Sequence, residues 1–173
     1  MSDKLSRRRY LAGTGAALTI GTLAGCSGGG DGGDGSDGSD GSDGGSGSTI
    51  EDVPSAIDDY LSDASLYEGT MVDATGQDEV TIEVGAGDIG YAFSPPAVRI
   101  DSSTTVVWEW TGAGGGHNVA SVEGSESDFD NGETVTEEGY TFEQSFDNTG
   151  VQLYECTPHS ANGMLGAIEV VEA

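Results

Sequence analysis

Two stretches of this 173-residue chain concentrate the side chains that could hold a soft metal ion. One is Cys156-x2-His159-x4-Met164, with Pro158 setting a turn between thiol and imidazole; the other, upstream, is Gly116-His117-Asn118-Val119. His117 and His159 are the only histidines. A strand delivering Cys156, a turn carrying His159 and a returning loop bringing Met164 can place three ligand atoms around one point. His117 would then arrive from a neighbouring strand. Two imidazoles and a thiolate in a trigonal plane, with a weak and distant thioether, are the ligands of an electron-transfer copper site. Sulfur favours Cu(I), imidazole suits both oxidation states, and a geometry intermediate between their preferences changes little when an electron moves. Zinc would want a fourth strong ligand or an open water position, and a thioether supplies neither well. Two other chemistries use the same residues. Extracytoplasmic copper storage or delivery needs exchangeable metal, against which a buried four-ligand site argues. A cysteine hydrolase would pair Cys156 with His117 or His159, but no oxyanion or substrate pocket is evident.

The elements that must position these residues are short strands. After Gly69 the apolar period is two: Val80, Ile82 and Val84; then Val106, Trp108 and Trp110; then Tyr140, Phe142 and Phe146. Alternation of this kind buries one face of a strand. Further runs at 97–101, 117–122, 151–156 and 167–171 are separated by Gly, Pro, Ser and Asp clusters. Seven or so strands with turn signals between them predict an antiparallel β-sandwich or barrel of about 105 residues, over 69–173. Both tryptophans and Met71 read as core. Ahead of this domain, Val53, Ala56, Ile57, Tyr60, Leu61 and Ala64 recur at helical spacing behind Pro54 and Ser55. They predict one short amphipathic helix within 51–68, covering an edge or an end of the sandwich.

The remaining sequence concerns address and surroundings. Ser6-Arg7-Arg8-Arg9-Tyr10-Leu11 precedes a weakly apolar run too short and Gly-rich to span a bilayer, and it resembles a twin-arginine export signal over 1–25. That run ends in Leu23-Ala24-Gly25-Cys26, which looks like a lipoprotein cleavage box with Cys26 as the lipidated first residue of the mature chain. Each buried lipid CH₂ contributes ~0.8 kcal/mol, so two chains could hold a soluble domain at the outer face of the cell membrane. Ser27 to Ser48 is entirely Gly, Ser and Asp. A flexible coil of that length spans roughly 25 Å, so 26–50 reads as a disordered tether. From Cys26 onward, thirty acids face one basic residue, Arg99. Such a polyanion excludes nucleic-acid binding and is repelled by anionic membrane surfaces. Its self-repulsion would strain a fold in dilute salt but largely vanish near 1 M, where the Debye length is about 3 Å, so the surface reads as adapted to very high salt.

Residues 91–171 resemble the plastocyanin-type small blue copper proteins. The matching stretches are Phe93-x-Pro95 followed by Val98, Gly116-His117-Asn118-Val119, Gly150-x5-Cys156-Thr157-Pro158-His159, and Gly163-Met164-Leu165-Gly166. With its leader, cleavage box, tether and acid excess, the whole chain resembles the haloarchaeal members of that family, the halocyanins. The resemblance implies an eight-stranded Greek-key, cupredoxin-like sandwich holding one copper ion. It implies His117, Cys156 and His159 as equatorial ligands, Met164 as axial ligand, and Asn118 steadying the loop that carries Cys156. The exposed edge of His159, ringed by Pro158, Gly163 and Leu165, would pass electrons between membrane redox complexes, with the protein a monomer and not an enzyme. Glu155 departs from the family pattern, which usually places an aromatic residue before the ligand cysteine and with it a second electron route.

Overall fold

The structure is a computed structural model that describes residues 47–173. The expected export leader, Cys26 and the tether up to residue 46 lie outside the described residues. No described helix is long and apolar enough to cross a membrane.

Two sheets face each other. The first has six strands: β1 (Ser48–Ile50), β2 (Met71–Asp73), β5 (Ala97–Asp101), β10 (Leu165–Val171), β9 (Gly150–Glu155) and β7 (Ala120–Ser121), in that spatial order. The second has four, β4 (Ala92–Ser94), β3 (Glu79–Ala86), β6 (Thr105–Trp110) and β8 (Thr141–Ser145), again in spatial order. The expected period-two strands are present. Val80, Ile82 and Val84 are buried in β3, and the Glu79, Thr81 and Glu83 between them are exposed. Between the sheets lies one core that includes Phe93, Val98, Ile100, Trp108, Phe146, Tyr154 and Ile168. Trp108 stacks on Phe129 and Phe142 at 5.7 and 5.5 Å and meets Tyr154 edge-on at 5.4 Å. Offset and edge-on contacts of this kind suit the ring quadrupole and add to the area each ring buries.

Three expectations about the strands need correction. The sandwich is mixed rather than antiparallel: β3 runs parallel to β6, and β5 parallel to both β10 and β2. The chain leaves the four-stranded sheet after β4, builds β5 in the other sheet, and returns as β6; such crossovers bring strands back side by side in the same direction. The 26–50 linker expectation runs too far, because Ser48, Thr49 and Ile50 pair with Asp73, Val72 and Met71. Thr49 and Ile50 are β-branched, and Ile50 packs on apolar residues of the outer cluster. Finally, the strand expected over 117–122 contracts to Ala120–Ser121, with His117 held instead by a lone bridge to Val135.

The predicted helix is α1 (Ser55–Tyr60), closed by a turn at Leu61. It covers neither an edge nor an end. Ile57 and Leu61 are fully buried in a second cluster with Met71, Ala97, Leu153 and Ala167, so the helix lies on the outer face of the six-stranded sheet. Met71 is therefore core, as its sequence context suggests.

Asp101 ends β5 and ties two turns together. Its carboxylate accepts from the Ser103 hydroxyl and amide, from the Gly76 amide at 2.7 Å, and from the Thr104 hydroxyl at 3.3 Å. Chiefly the Ser103 hydroxyl, then the Gly76 amide, hold this carboxyl below the ordinary Asp range. A lowered folded-state pKa adds stability above the unfolded value of about 3.9, and that share is lost as pH falls through the folded value. Asp101→Asn should accordingly be less stable than wild type at neutral pH and lose less on acidification below pH 4. Denaturant midpoints across pH at constant high salt check this; parallel curves for the two proteins would contradict it.

Candidate metal centre

The centre forms where the ends of both sheets meet. His117 sits in the loop after β6, and its backbone is fixed on both sides: its amide donates to Val135 O at 3.0 Å and its carbonyl accepts from Val135 N at 2.8 Å. The Trp110 indole also donates to that carbonyl, at 3.2 Å. Trp110 is thus core, as expected, and also a clamp on the histidine backbone. On the imidazole, Nε2 lies 2.8 Å from Ala113 O. A carbonyl can only accept, so Nε2 carries the proton and Nδ1 presents a lone pair. Gly85, at φ +91°, makes room for this arrangement: a Cβ there would lie 2.8 Å from Ala113 O and 3.4 Å from His117 Nε2.

Cys156 follows β9, and a 3₁₀ turn (Thr157–Asn162) carries His159 back beside it. The His159 amide donates to Cys156 O at 2.9 Å, and the Cys156 amide to Met164 O at 3.0 Å. The Asn118 side chain joins the two stretches, accepting from Thr157 N at 2.8 Å and donating to Thr157 Oγ1 at 3.2 Å. It steadies the backbone just after the cysteine, the position at which the resemblance put it.

The donor atoms converge. Cys156 Sγ lies 3.5 Å from His117 Nδ1 and 3.4 Å from His159 Nδ1, and the two nitrogens are 3.1 Å apart. The centre of such a triangle is about 2 Å from each corner, close to the length of a bond from a first-row metal to imidazole. Met164 is fully buried in the main core, and its backbone is bonded to both Cys156 and His159. His117 and Cys156 are also fully buried, whereas His159 is half-buried and Pro158 beside it exposed. Leu165 is half-buried and Gly163 buried. Burial pushes the Cys156 thiol up; the Asn118 and His159 amides oppose this, and the Glu155 carboxylate adds to it. Burial likewise lowers His117, against the Ala113 carbonyl, and nearby His159 lowers it further. A buried neutral imidazole is a better metal ligand than an imidazolium.

One residue at the centre has no signal in the spacing of the sequence. Tyr91, in the turn before β4, stacks on the His159 ring with centroids 4.2 Å apart and planes 20° apart. It belongs to no alternating run and stands two residues before the Phe93-x-Pro95 stretch. Proximity to that stretch is the one clue available. Glu155 is half-buried on β9 opposite Ala120 and Leu165, so the position before the cysteine holds a carboxylate, not a ring.

Residues 78–171 match the copper binding proteins of the plastocyanin/azurin family. Halocyanin from Natronomonas pharaonis is 53% identical over 169 residues, covering 96% of this chain and 98% of that protein. Chloroplastic plastocyanin from Pisum sativum is 29% identical, covering 53% of this chain and 58% of its own. Among solved structures, oxidised plastocyanin from Dryopteris crassirhizoma is 21% identical with a TM-score of 0.45, covering 53% of this chain and all of that one. The alternating strands, the two facing sheets and the thiol set between two imidazoles agree with the first of these findings, and copper is the ion that such a donor set suits. The chain belongs to the plastocyanin/azurin family of copper-binding proteins.

Proposed function

We propose that this chain is a membrane-anchored one-electron carrier whose copper is held by His117, Cys156 and His159, with Met164 as a weaker fourth ligand. The observation that carries the reading is the triangle of two imidazole nitrogens and one thiol sulfur, 3.1–3.5 Å on a side. Copper supplies a one-electron couple between its two common oxidation states. The protein supplies stillness and insulation. His117 is fixed through Ala113, Val135 and Trp110, and Cys156 through Met164 and the Asn118–Thr157 pair. Donors held by their own backbones keep their positions whatever the charge they surround, which keeps reorganisation small.

Access is one-sided. His159 alone among the imidazoles reaches the surface, so a partner must sit against its edge, beside Pro158 and Leu165. Full burial of Cys156 and His117 also disfavours the hydrolase reading, since a nucleophile must meet its substrate. Storage or delivery of copper is disfavoured by the same burial, which slows exchange.

The sequence supports the remainder of the reading. An export leader and a lipidated Cys26 would put the domain on the outer face of the cell membrane, and the Gly/Ser/Asp tether would let a monomer reach one membrane redox complex and then another. Mass spectrometry of the mature N-terminus should find a lipid-modified Cys26; an unmodified thiol there would end the anchor. The single described ion pair, Arg99–Glu169 at 2.6 Å, leaves the acid excess almost unbalanced, which fits a working medium of concentrated salt. Charge steering is then screened. Recognition would fall to the apolar rim of His159, and redox encounters are brief and small.

Two outcomes follow. Copper-loaded protein at high salt should show an intense visible band when oxidised and lose it on reduction, together with a narrow copper hyperfine splitting by electron paramagnetic resonance. Cys156→Ser should abolish the band; its survival would rule out the sulfur ligand. Desolvating even a neutral polar group without a partner costs roughly 1–3 kcal/mol, and a carboxylate at the docking rim costs more. Leu165→Asp should therefore slow electron transfer about tenfold in molar salt, whereas an unchanged rate, with slowing instead on removal of surface acids, would contradict an apolar docking face.

A further inference from the structure

The segment after α1 grips the loop that joins the candidate ligands. The Ser65 amide donates to Gly163 O at 2.7 Å, and Ser65 Oγ donates to Asn162 O at 3.3 Å. These are the two residues immediately before Met164. Gly163 has φ +82°, and a Cβ there would stand 2.5 Å from Asp63 O and 3.1 Å from Ser65 N, so glycine alone admits the segment this closely. Leu66 takes φ +64°, the one positive value on a non-glycine among the described residues, and turns the chain away directly after the contact. Backbone strain of this kind persists only where surrounding structure enforces it.

The grip is anchored at its other end. Ile57 and Leu61 are fully buried against the six-stranded sheet, and Tyr60 Oη donates to Tyr154 O at 2.9 Å, two residues before Cys156. One stretch, 57–66, therefore touches the backbone leading into Cys156 and the backbone leading into Met164. All of it precedes residue 78, where the match to the family begins.

We propose that Ser65 is a positioning residue for the metal centre: by holding Asn162 and Gly163 it fixes the approach of Met164 to the donor triangle. The proposal rests on the reading of Met164 as fourth ligand. A thioether is a neutral, weak donor, so backbone restraint rather than bond strength decides where it sits, and the axial ligand is one control on the potential of such a site. Releasing the clamp lets Met164 withdraw, weakens its donation and favours the reduced form.

The test uses full-length protein carrying Ser65→Pro, which removes both bonds, Ser65→Ala, which removes only the hydroxyl bond, and Ser65→Thr, which keeps both. In the copper-free proteins, amide exchange at Gly163 and Met164 should quicken at least tenfold in Ser65→Pro, less in Ser65→Ala, and return to wild type in Ser65→Thr. In the copper-loaded proteins the midpoint potential should rise and the rhombicity of the paramagnetic spectrum change in the same order. Faster exchange with an unaltered potential and spectrum would overturn the proposal, leaving the segment a packing element only. If Ser65→Pro does not fold, Ser65→Ala decides: unaltered exchange and spectrum overturn the proposal equally. Wild-type protein that stays colourless on oxidation would defeat the electron-carrier reading and this one with it, whereas blue wild type with unresponsive variants defeats only this one.

Discussion

Two imidazole nitrogens and a thiol sulfur held within 3.5 Å of one another, with His117 and Cys156 fully buried, are the constraint around which the molecule is arranged. Nδ1 of His117 is an acceptor, because Nε2 is committed to the Ala113 carbonyl. A single soft cation placed between these three donors would meet all of them at bonding distance. Much of the sandwich serves that crowding. Gly85 leaves room for the Ala113 contact, Trp110 and Val135 hold the His117 backbone, and Asn118 binds the loop beyond Cys156. The strand order contributes as well, since β9 and β10 are antiparallel neighbours and the loop joining them carries His159 and Met164 back to Cys156.

Charge places a second demand on the fold. On the outer face of the four-stranded sheet Glu83 stands directly opposite Glu109, a like-charge pair that destabilises a sheet in dilute salt. Arg99 answers Glu169 across β5 and β10. Elsewhere the acids have screening and hydrogen bonds. Asp101 takes several such bonds at once and thereby ties the β2–β3 turn to the β5–β6 turn.

Much of this was legible in the residues. The spacing of Cys156, His159 and Met164 is local, so one turn suffices to gather them, and the second histidine had a single candidate in His117. Strand alternation in Val80–Val84 and Val106–Trp110 read directly because each has one face in the core. What escaped depends on long-range placement. The direction of β3 relative to β6 is set by a crossover, not by either strand's pattern. Tyr91 reaches His159 from a separate turn, and Ser65 reaches Gly163 from a segment almost a hundred residues upstream. A polar residue following a helix carries no mark of the carbonyl it will meet. Ser48–Ile50 was hidden for a different reason, because a compositional run of Gly, Ser and Asp does not show where its last residues begin to pair.

X-ray absorption at the copper edge of the loaded, oxidised protein in molar salt tests the central claim most directly. A first shell of two nitrogens near 2 Å and one short sulfur bond, with any further sulfur more distant, is the result expected of this donor triangle. A first shell of nitrogen and oxygen alone, with no short sulfur bond, would contradict it.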